Sequence, residues 1–322
     1  MRILVTGGLG FLGSHLCRLL IDVEDIEIYI VDDLSNPSKI LSNRVLYFAK
    51  NKKIEIFKLS VQSDEFIEIC TEIQPHRIYH LAAMNTHKQI TMFPVKTLVS
   101  SVSACSNIIK VAKMFNSRVL FSSSCDVYGI ECGNQPLKED DLLCDNITRN
   151  WRIAYSESKR ACETIFLSAA QRGVDVRIVR IFDTFGPGLQ RGITYDTIIS
   201  CLAGKPIRIY KDGNQIRSFC CGYDIVKGLV SIMEETEYNK PINMGHFDVF
   251  KIIDYVKLIR ELCNSNSEIQ FIDPPGEIPD VKIPDLDLIT KLINWNPDPV
   301  KEKLERTIRW IRSKIKKGEI VL

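Results

Sequence analysis

Tyr155 and Lys159 have the residue types and the spacing that proton transfer at a hydroxyl group needs. Residues at positions i and i+4 lie on one face of a helix, one turn apart. The lysine ammonium favours the phenolate form of the tyrosine, so the tyrosine oxygen can take the proton of a substrate hydroxyl group while hydride leaves the same carbon. An isolated pair of this kind is often an ordinary exposed pair, so the prediction depends on a cofactor motif elsewhere in the chain.

A glycine-rich segment near the first residue supplies that motif. Gly7, Gly10 and Gly13 follow the apolar residues 3–5. The first glycine permits a tight turn, the second lets the backbone approach a pyrophosphate, and the third lets a helix pack against a strand. Amides at the start of that helix then face the phosphates. Asp32 ends the second apolar segment, where a carboxylate binds ribose hydroxyls and repels a 2′-phosphate, which favours NAD over NADP.

Ser124, Cys125 and Asp126 follow the apolar residues 118–122, at the place where ligands bind in parallel sheets. Ser124 can hydrogen-bond the same hydroxyl as Tyr155. Asp126 can act as a base, and Cys125 is a thiol that stays neutral at its ordinary pKa. The alternatives are a small buried side chain for Cys125 and a turn-capping acid for Asp126.

These residues need a scaffold, and the hydrophobic pattern predicts one. Strand-like segments at 3–5, 28–31, 54–59, 77–81, 118–122 and 176–181 alternate with helical patterns at 13–21, 65–73, 95–115 and 155–172. The alternation predicts an α/β fold with a doubly wound parallel sheet. We expect an NAD-binding domain at 1–182, to which some later segments return. A smaller lobe at 183–322 is expected to bind the substrate, with a short strand at 207–210 and a closing helix at about 300–316.

Composition excludes several classes of protein. The chain has 322 residues and a net charge of +2, which gives no reason to expect nucleic acid or a membrane as a partner. We expect no signal peptide, since the first strand begins almost at Met1, and no apolar run near the ~20 residues of a spanning helix. The eleven cysteines have no zinc-like spacing, so we predict no metal site, reduced thiols and a cytoplasmic location.

The order of motifs resembles the extended short-chain dehydrogenase/reductase family, in its nucleotide-sugar epimerase, dehydratase and decarboxylase branch. The segments that carry the resemblance are TGGLGFLG at 6–13, HLAA at 80–83, SSSCDVYG at 122–129, YSESK at 155–159, RIFDTFGPG at 180–188 and DGNQIRSF at 212–219. The family fold is a Rossmann-type sheet with a smaller C-terminal lobe. Its members recycle NAD internally and usually form dimers, so we expect a homodimer or a higher homo-oligomer.

The resemblance also implies roles for individual residues. The implied catalytic residues are Ser124, Cys125, Asp126, Tyr155 and Lys159. The implied cofactor contacts are Gly7, Gly10, Phe11, Leu12, Gly13, Asp32, Leu81, Ala82, Ala83, Tyr155 and Lys159. The implied contacts with a UDP-sugar are Asn85, Ser124, Asp183, Tyr210 and Arg217.

The two residues after Ser124 are expected to distinguish which reaction a member of the family catalyses. Cys125-Asp126 resembles the pair in UDP-N-acetylglucosamine 5,6-dehydratases of the tunicamycin and pseudaminic acid pathways. By that resemblance we predict oxidation of UDP-GlcNAc at C4, loss of water across C5 and C6, and return of hydride to C4. Asp126 would remove the C5 proton and Cys125 would protonate the departing hydroxyl. UDP-glucuronate decarboxylation, 4,6-dehydration and 4-epimerisation are the alternatives.

Three positions depart from the family pattern, and one of them is Ser60-Val61, which replaces the family's usual adenine contact. Asp183 stands where asparagine is usual, near the substrate diphosphate, and Lys282 begins a weak version of an arginine-containing segment before Pro284-Asp285. These changes leave the nucleotide, the sugar and the carbon that receives the hydride open.

Overall fold

The computed structural model describes residues 1–36, 38–84, 86–130, 133, 135–143 and 152–322, which form fourteen strands and eleven α-helices. The strands are β1 (Arg2–Thr6), β2 (Glu27–Val31), β3 (Ile54–Phe57), β4 (Arg77–His80), β5 (Arg118–Ser124), β6 (Val176–Ile181), β7 (Thr184–Phe185), β8 (Ile207–Tyr210), β9 (Ile216–Ser218), β10 (Cys220–Cys221), β11 (Pro241–Met244), β12 (Val249–Lys251), β13 (Ile269–Ile272) and β14 (Val281–Lys282). The helices are α1 (Phe11–Ile21), α2 (Lys39–Phe48), α3 (Asp64–Ile73), α4 (His87–Met92), α5 (Pro94–Phe115), α6 (Ile153–Ala170), α7 (Gly192–Ala203), α8 (Gly222–Glu235), α9 (Ile252–Leu262), α10 (Asp287–Ile293) and α11 (Val300–Lys316). A 3₁₀ turn covers Cys125–Tyr128.

Seven parallel strands form the central sheet, in the order β11-β6-β5-β4-β1-β2-β3. The chain builds outward from β1 to β3, then returns to place β4 on the other side of β1. The carboxyl ends of β1 and β4 flank this switch point, where ligands bind in open parallel sheets. The predicted fold class, a doubly wound α/β sheet, is confirmed.

The strands are apolar because helices cover both faces of the sheet. All six residues of β6 are buried. On one face α1 and α8 contribute Leu16 and Leu229 to the core, and on the other α5 and α6 contribute Ile108 and Phe166. Burial on both faces explains why the sequence reads as continuous apolar segments rather than as an alternating pattern.

The later part of the chain adds three small sheets, β10-β7, β12-β9-β14 and β13-β8. Their core includes Phe219, Tyr255 and Leu304. Strand β11 leaves this region and pairs with β6 at the edge of the central sheet. The division at 182/183 stays a prediction.

Helix α5 corrects the expectation that the chain has no apolar segment as long as a membrane-spanning helix. Its 22 residues include a window with a mean hydropathy of 1.2, which by length and composition is enough to cross a membrane, and 33% of that window is buried. One side of the helix packs against α6 and α3, with Cys105 and Val111 in the core. The buried residues of this packing face include Ala104, Ala112 and Ile108, as expected for a core helix of the sheet.

Candidate active site

The glycine segment forms a tight turn between β1 and α1. Gly7 has a φ of +69°, and a Cβ there would lie 2.8 Å from the backbone nitrogen of Ala82. A Cβ on Gly13 would lie 2.2 Å from the carbonyl oxygen of Gly7. The turn, the start of α1 and the segment after β4 therefore approach one another so closely that side chains are excluded.

The start of α1 has unused backbone donors. Gly10 is its N-cap residue and gives no side-chain cap, and the first turn carries no acidic residue. Helical hydrogen bonding begins with the amide of Ser14, which donates to the carbonyl of Gly10 at 3.1 Å. The amides of Phe11 and Leu12 precede that bond, so they remain available to an anion.

Asp32 lies beside the glycine turn. Its carboxylate accepts hydrogen bonds from the amide of Leu9 at 3.1 Å and the amide of Leu34 at 3.0 Å. Burial raises the pKa of Asp32, and these two amides oppose the shift. The carboxylate is thus fixed next to the turn, where it fits the ribose role that the sequence predicts.

The segment after β4 lines the same turn. His80 Nδ1 lies 2.7 Å from the hydroxyl of Thr6, and the amide of Leu81 donates to the Thr6 carbonyl at 3.2 Å. Ala82 and Ala83 follow, partly buried beside Gly7. Asn85, a predicted substrate contact, lies outside the described residues.

Tyr155 and Lys159 share one buried face of α6, with exposed fractions of 8% and 4%. The ammonium of Lys159 donates to the carbonyl of Ser122 at 2.7 Å and lies 5.8 Å from the centre of the Tyr155 ring. The bond to β5 fixes the lysine between the sheet and the tyrosine. This is the arrangement that the i, i+4 spacing predicts.

Ser124 ends β5 and caps the 3₁₀ turn that follows. Its hydroxyl accepts a hydrogen bond from the amide of Asp126 at 3.1 Å. The hydroxyl is thereby oriented at the carboxyl end of the sheet, on the strand whose Ser122 carbonyl holds Lys159. The sheet and α6 therefore bring the predicted Ser124, Tyr155 and Lys159 to one region.

Asp126 is held between two cations. Its Oδ1 lies 2.5 Å from the ammonium of Lys282, and its Oδ2 lies 2.8 Å from a guanidinium nitrogen of Arg152. Burial alone would raise the pKa of Asp126, but Arg152 and Lys282 together outweigh it and hold the pKa well below the usual range. Asp126 is therefore a stable carboxylate, and its two oxygens are both engaged.

Cys125 lies next to these charges but in an apolar environment. It is 4% exposed and belongs to a small core cluster with Val127, Tyr128, Leu137 and Phe182. Burial raises the pKa of the Cys125 thiol to about 12, and nearby Lys282 opposes the shift. The thiol is thus protonated at neutral pH.

Two neighbouring strands bring Lys282 and Arg217 to the site. Strand β14 pairs with β9 in a register that sets Lys282 opposite Arg217. The segment after β14 is anchored by Leu137, whose amide donates to the Ile283 carbonyl at 2.9 Å and whose carbonyl accepts from the Asp285 amide at 2.8 Å. These backbone bonds hold the segment that follows Lys282, and the Lys282 ammonium donates to Asp126.

Of the remaining predicted substrate residues, Asp183 and Arg217 lie near the Asp126 centre and Tyr210 does not. Arg217 Nε lies 3.9 Å from the carboxylate of Asp183, while its Nη2 donates to the Pro279 carbonyl at 2.6 Å. Burial raises the pKa of Asp183, and Arg217 and Lys282 oppose the shift. Tyr210 is 40% exposed at the end of β8, in a different small sheet, and no contact found among the described residues joins its side chain to the Asp126 centre.

Sequence reasoning missed the two partners of Asp126. Arg152 precedes α6 by one residue, and Lys282 was noted only as a departure from a family segment. The sequence contained part of the signal for Lys282. It is a basic residue shortly before Pro284-Asp285, in a segment where the family usually has an arginine. In the ranges 1–36, 38–84, 86–130, 133, 135–143 and 152–322, no cluster of three or more His, Cys, Asp or Glu side chains could hold a metal ion.

The site combines a glycine turn, a carboxylate beside it and a buried Tyr/Lys pair on one parallel sheet. This combination fits the site expected for an NAD-dependent enzyme that acts on a hydroxyl group. The family described as the NAD dependent epimerase/dehydratase family matches residues 3–245. The chain belongs to this family, and NAD is its cofactor. The resemblance inferred from the motifs is confirmed.

Curated relatives narrow the range of reactions. The chain is 31% identical over 319 residues to UDP-glucuronic acid decarboxylase 1 from Xenopus tropicalis, an alignment that covers 98% of this chain and 73% of the relative. This protein is therefore an enzyme of the group that contains the nucleotide-sugar decarboxylases, dehydratases and epimerases.

Solved structures share the fold over nearly the whole chain. The UDP-N-acetylglucosamine 4-epimerase from Methanobrevibacter ruminantium, in complex with UDP-N-acetylmuramic acid, has a TM-score of 0.85 and 27% identity, covering 97% of this chain and 98% of that chain. An NAD-dependent NDP-hexosamine 5,6-dehydratase involved in tunicamycin biosynthesis has a TM-score of 0.84 and 23% identity, covering 99% and 100%.

Proposed function

We propose that this protein decarboxylates UDP-glucuronate to the corresponding UDP-pentose, with oxidation at C4 and return of hydride to the sugar. The observation that carries the proposal is the position of Asp126 between Lys282 at 2.5 Å and Arg152 at 2.8 Å. A carboxylate whose pKa is held well below its usual range is a poor base. Decarboxylation needs no base at C5, whereas dehydration does.

The chemistry of the substrate supports this assignment. NAD, which the glycine turn and Asp32 would hold, would supply the hydride acceptor for C4 and the hydride for the final reduction. Tyr155 takes the proton of the C4 hydroxyl, and Ser124 hydrogen-bonds the same oxygen. The ketone at C4 makes the C6 carboxylate part of a β-keto acid. The C5–C6 bond then breaks, carbon dioxide leaves, and the electron pair of that bond forms the enolate of C4 and C5. Cys125, protonated at neutral pH, then donates a proton to C5.

The charges of the described site also suit an anionic sugar. Arg152, Arg217 and Lys282 contribute three positive charges, and Asp126 and Asp183 contribute two carboxyl groups. A UDP-glucuronate molecule adds a diphosphate and one carboxylate, which the excess of positive charge favours. The relative with 31% identity is likewise a UDP-glucuronic acid decarboxylase.

Mass spectrometry of the product tests the proposal. The NAD-loaded protein is incubated separately with UDP-glucuronate and UDP-GlcNAc in deuterated water. We expect UDP-glucuronate to lose one carbon dioxide and gain one deuterium at C5, with UDP-GlcNAc unchanged. The Tyr155→Phe variant is the matched control and should be inactive while still binding NAD. Unchanged UDP-glucuronate with a wild-type protein that binds NAD would reject the assignment.

The second candidate is the 5,6-dehydration of UDP-GlcNAc that the sequence predicts. The Cys125-Asp126 pair favours it, because a protonated thiol next to an acid could release the C6 hydroxyl while the acid takes the C5 proton. That reaction requires Asp126 to leave Lys282 or Arg152 during turnover. A product lighter by one water from UDP-GlcNAc in the same experiment would favour this candidate over decarboxylation.

We also propose that the protein works in the cytoplasm as a homodimer that pairs through α5 and α6. The exposed face of α5 supports this pairing, since Val95 is 75% exposed and Val99 is 56% exposed. Apolar side chains at this level of exposure on a long helix favour a protein contact. Sedimentation of the purified protein should give a dimer, and Val99→Lys should shift it toward the monomer.

A further inference from the structure

A groove between α1, α2 and α11 lies behind the cofactor turn, outside the site described above. It forms a partly open cavity of about 390 Å³. Basic and aromatic side chains line it, among them Arg18, Arg44, Tyr47, Trp310 and Lys314. None of these residues belongs to the predicted cofactor or substrate contacts.

Two of the cations in this groove lack an acidic partner. Arg44 donates from its two terminal nitrogens to the carbonyls of Leu9 at 2.8 Å and Gly188 at 2.9 Å. The Arg18 guanidinium lies 5.1 Å from the centre of the Tyr47 ring. Among the residues that the structure describes, no carboxylate reaches ion-pair distance of either guanidinium. Lys314 differs, because its ammonium lies 2.7 Å from Glu319.

The two guanidinium groups also repel each other. Burial lowers the pKa of Arg44 to about 10, and the charge of Arg18 is the next contribution in the same direction. His15, beside them, is neutral at pH 7, since burial lowers its pKa to about 4. An anion placed between Arg18, which is exposed, and Arg44 would offset the repulsion and part of the cost of burying Arg44.

We propose that this groove binds a phosphate-bearing small molecule, whose phosphate groups are held by Arg18 and Arg44. A phosphate group suits the site because a guanidinium presents a planar set of donors that matches its oxygens. The cavity has room for an organic group beside the rings of Tyr47 and Trp310. The ligand is therefore either a nucleotide or a free pyrophosphate, and both carry the phosphate groups that the two arginines would bind.

The position of the groove gives the ligand a structural effect. Arg44 bonds to the carbonyl of Leu9, whose amide holds Asp32 beside the glycine turn. His15 bonds to the carbonyl of Pro187 at 2.7 Å, in the segment that follows β7. Trp310 and Lys314 come from α11, so a ligand in the groove would connect the C-terminal helix to α1 and α2.

Isothermal titration of the intact protein tests the proposal. The protein is first loaded with NAD and freed of excess nucleotide, so that the probes cannot enter the cofactor site and no other phosphate compound in solution competes for the groove. Pyrophosphate and AMP are then titrated separately at fixed ionic strength. We expect saturable binding of at least one probe with one site per chain, and a rise in the melting temperature in its presence.

Variants locate the binding. Arg18→Gln should weaken binding at least tenfold, while Arg309→Gln should leave it unchanged, because Arg309 is a 69% exposed cation on the same helix as Trp310. Tighter binding of AMP than of pyrophosphate would identify a nucleotide as the ligand class, and equal binding would identify the phosphate groups alone. No saturable binding of either probe, or equal affinity in Arg18→Gln, would overturn the proposal. No step of this experiment requires turnover, so it is independent of the proposed reaction.

Discussion

At the scale of single residues, the charge state of Asp126 distinguishes the candidate reactions. Lys282 and Arg152 hold it as a carboxylate with both oxygens engaged. A carboxylate in this position can orient the two cations toward an anionic sugar, but it gives up a proton-accepting role. The neighbouring thiol of Cys125 has the opposite charge behaviour, since its raised pKa keeps the thiol protonated and neutral.

Removal of one member of this ion pair should destabilise the protein. Lys282 is 11% exposed and Asp126 is 15% exposed in their side chains. Lys282→Met leaves a largely buried carboxylate with one cation, so we expect a loss of about 3 kcal/mol in the free energy of unfolding. Urea denaturation measures it. The double variant Asp126→Asn, Lys282→Met should recover at least half of the loss, and additive losses would show that the two side chains do not interact.

If Cys125 is the proton donor, substitutions at this position should lower kcat by different amounts. Cys125→Ala removes the donor and should lower kcat by about 10²-fold or more, whereas Cys125→Ser keeps a hydroxyl and should retain more activity. The readout is product formation from UDP-glucuronate together with deuterium at C5. Transient reduction of bound NAD should persist in both variants, because Tyr155 and Lys159 are unchanged. Full activity in Cys125→Ala would assign the thiol to core packing alone.

The sequence predicted the residues of each local motif and missed the partners that come from elsewhere. Tyr155 and Lys159 are one helical turn apart, so their spacing alone fixes their shared face. Lys282 lies 156 residues after Asp126, and the two meet only because β14 pairs with β9. Such a contact depends on strand pairing in the later lobe, which no local pattern in the chain specifies.

At the scale of elements, the first six strands were predicted to within two residues at each end. Strand β6 matches the predicted 176–181, while β5 extends to Ser124 rather than ending at 122. The difference has a physical reason, because serines carry no hydrophobic signal although Ser122, Ser123 and Ser124 pair with β6. Helix α2 was not predicted, and only Ile40 and Phe48 of its residues are buried, which leaves a weak pattern.

The contact between α1 and the glycine turn predicts different costs for two alanine substitutions. Gly13→Ala would place a methyl group 2.2 Å from the Gly7 carbonyl, and Gly10→Ala would place one 3.0 Å from the same oxygen. We therefore expect Gly13→Ala to move α1, lower the melting temperature and weaken NAD binding more than tenfold. Gly10→Ala should have the smaller effect on the melting temperature. Equal melting temperatures for the two variants would contradict the close packing.

At the scale of the whole molecule, the central sheet connects the early and the late parts of the chain, because it contains β1 to β6 and also β11. Strand β11, from the later part of the chain, pairs with β6, and Tyr128 after β5 donates to the Asn243 side chain of β11 at 2.7 Å. Arg180 and Glu163 form an ion pair beneath them, with side-chain exposures of 4% and 3%. The return of β11 was foreseen only in general terms, because its four residues carry no signal for a particular partner strand.

His80, which is buried, and His15, which is partly buried, should make the stability of the molecule depend on pH. Burial lowers the pKa of His15 to about 4 and that of His80 to about 3, from an ordinary value of 6.5. Between pH 6.5 and pH 4 the unfolded chain binds protons at these positions and the folded chain does not. Stability should therefore fall as the pH falls through this range, by about 2 kcal/mol for each histidine at pH 5.

Urea denaturation at pH 7 and pH 5 measures this fall, and two variants assign it. His15→Gln can still donate to the Pro187 carbonyl, which His15 Nε2 approaches at 2.7 Å, but it cannot titrate. We expect it to remove roughly half of the difference between the two pH values. His76→Gln, at an exposed position, should leave most of the difference in place. A wild-type protein equally stable at both pH values would show that His15 and His80 gain protons without unfolding, and hence that water reaches both rings in the folded state.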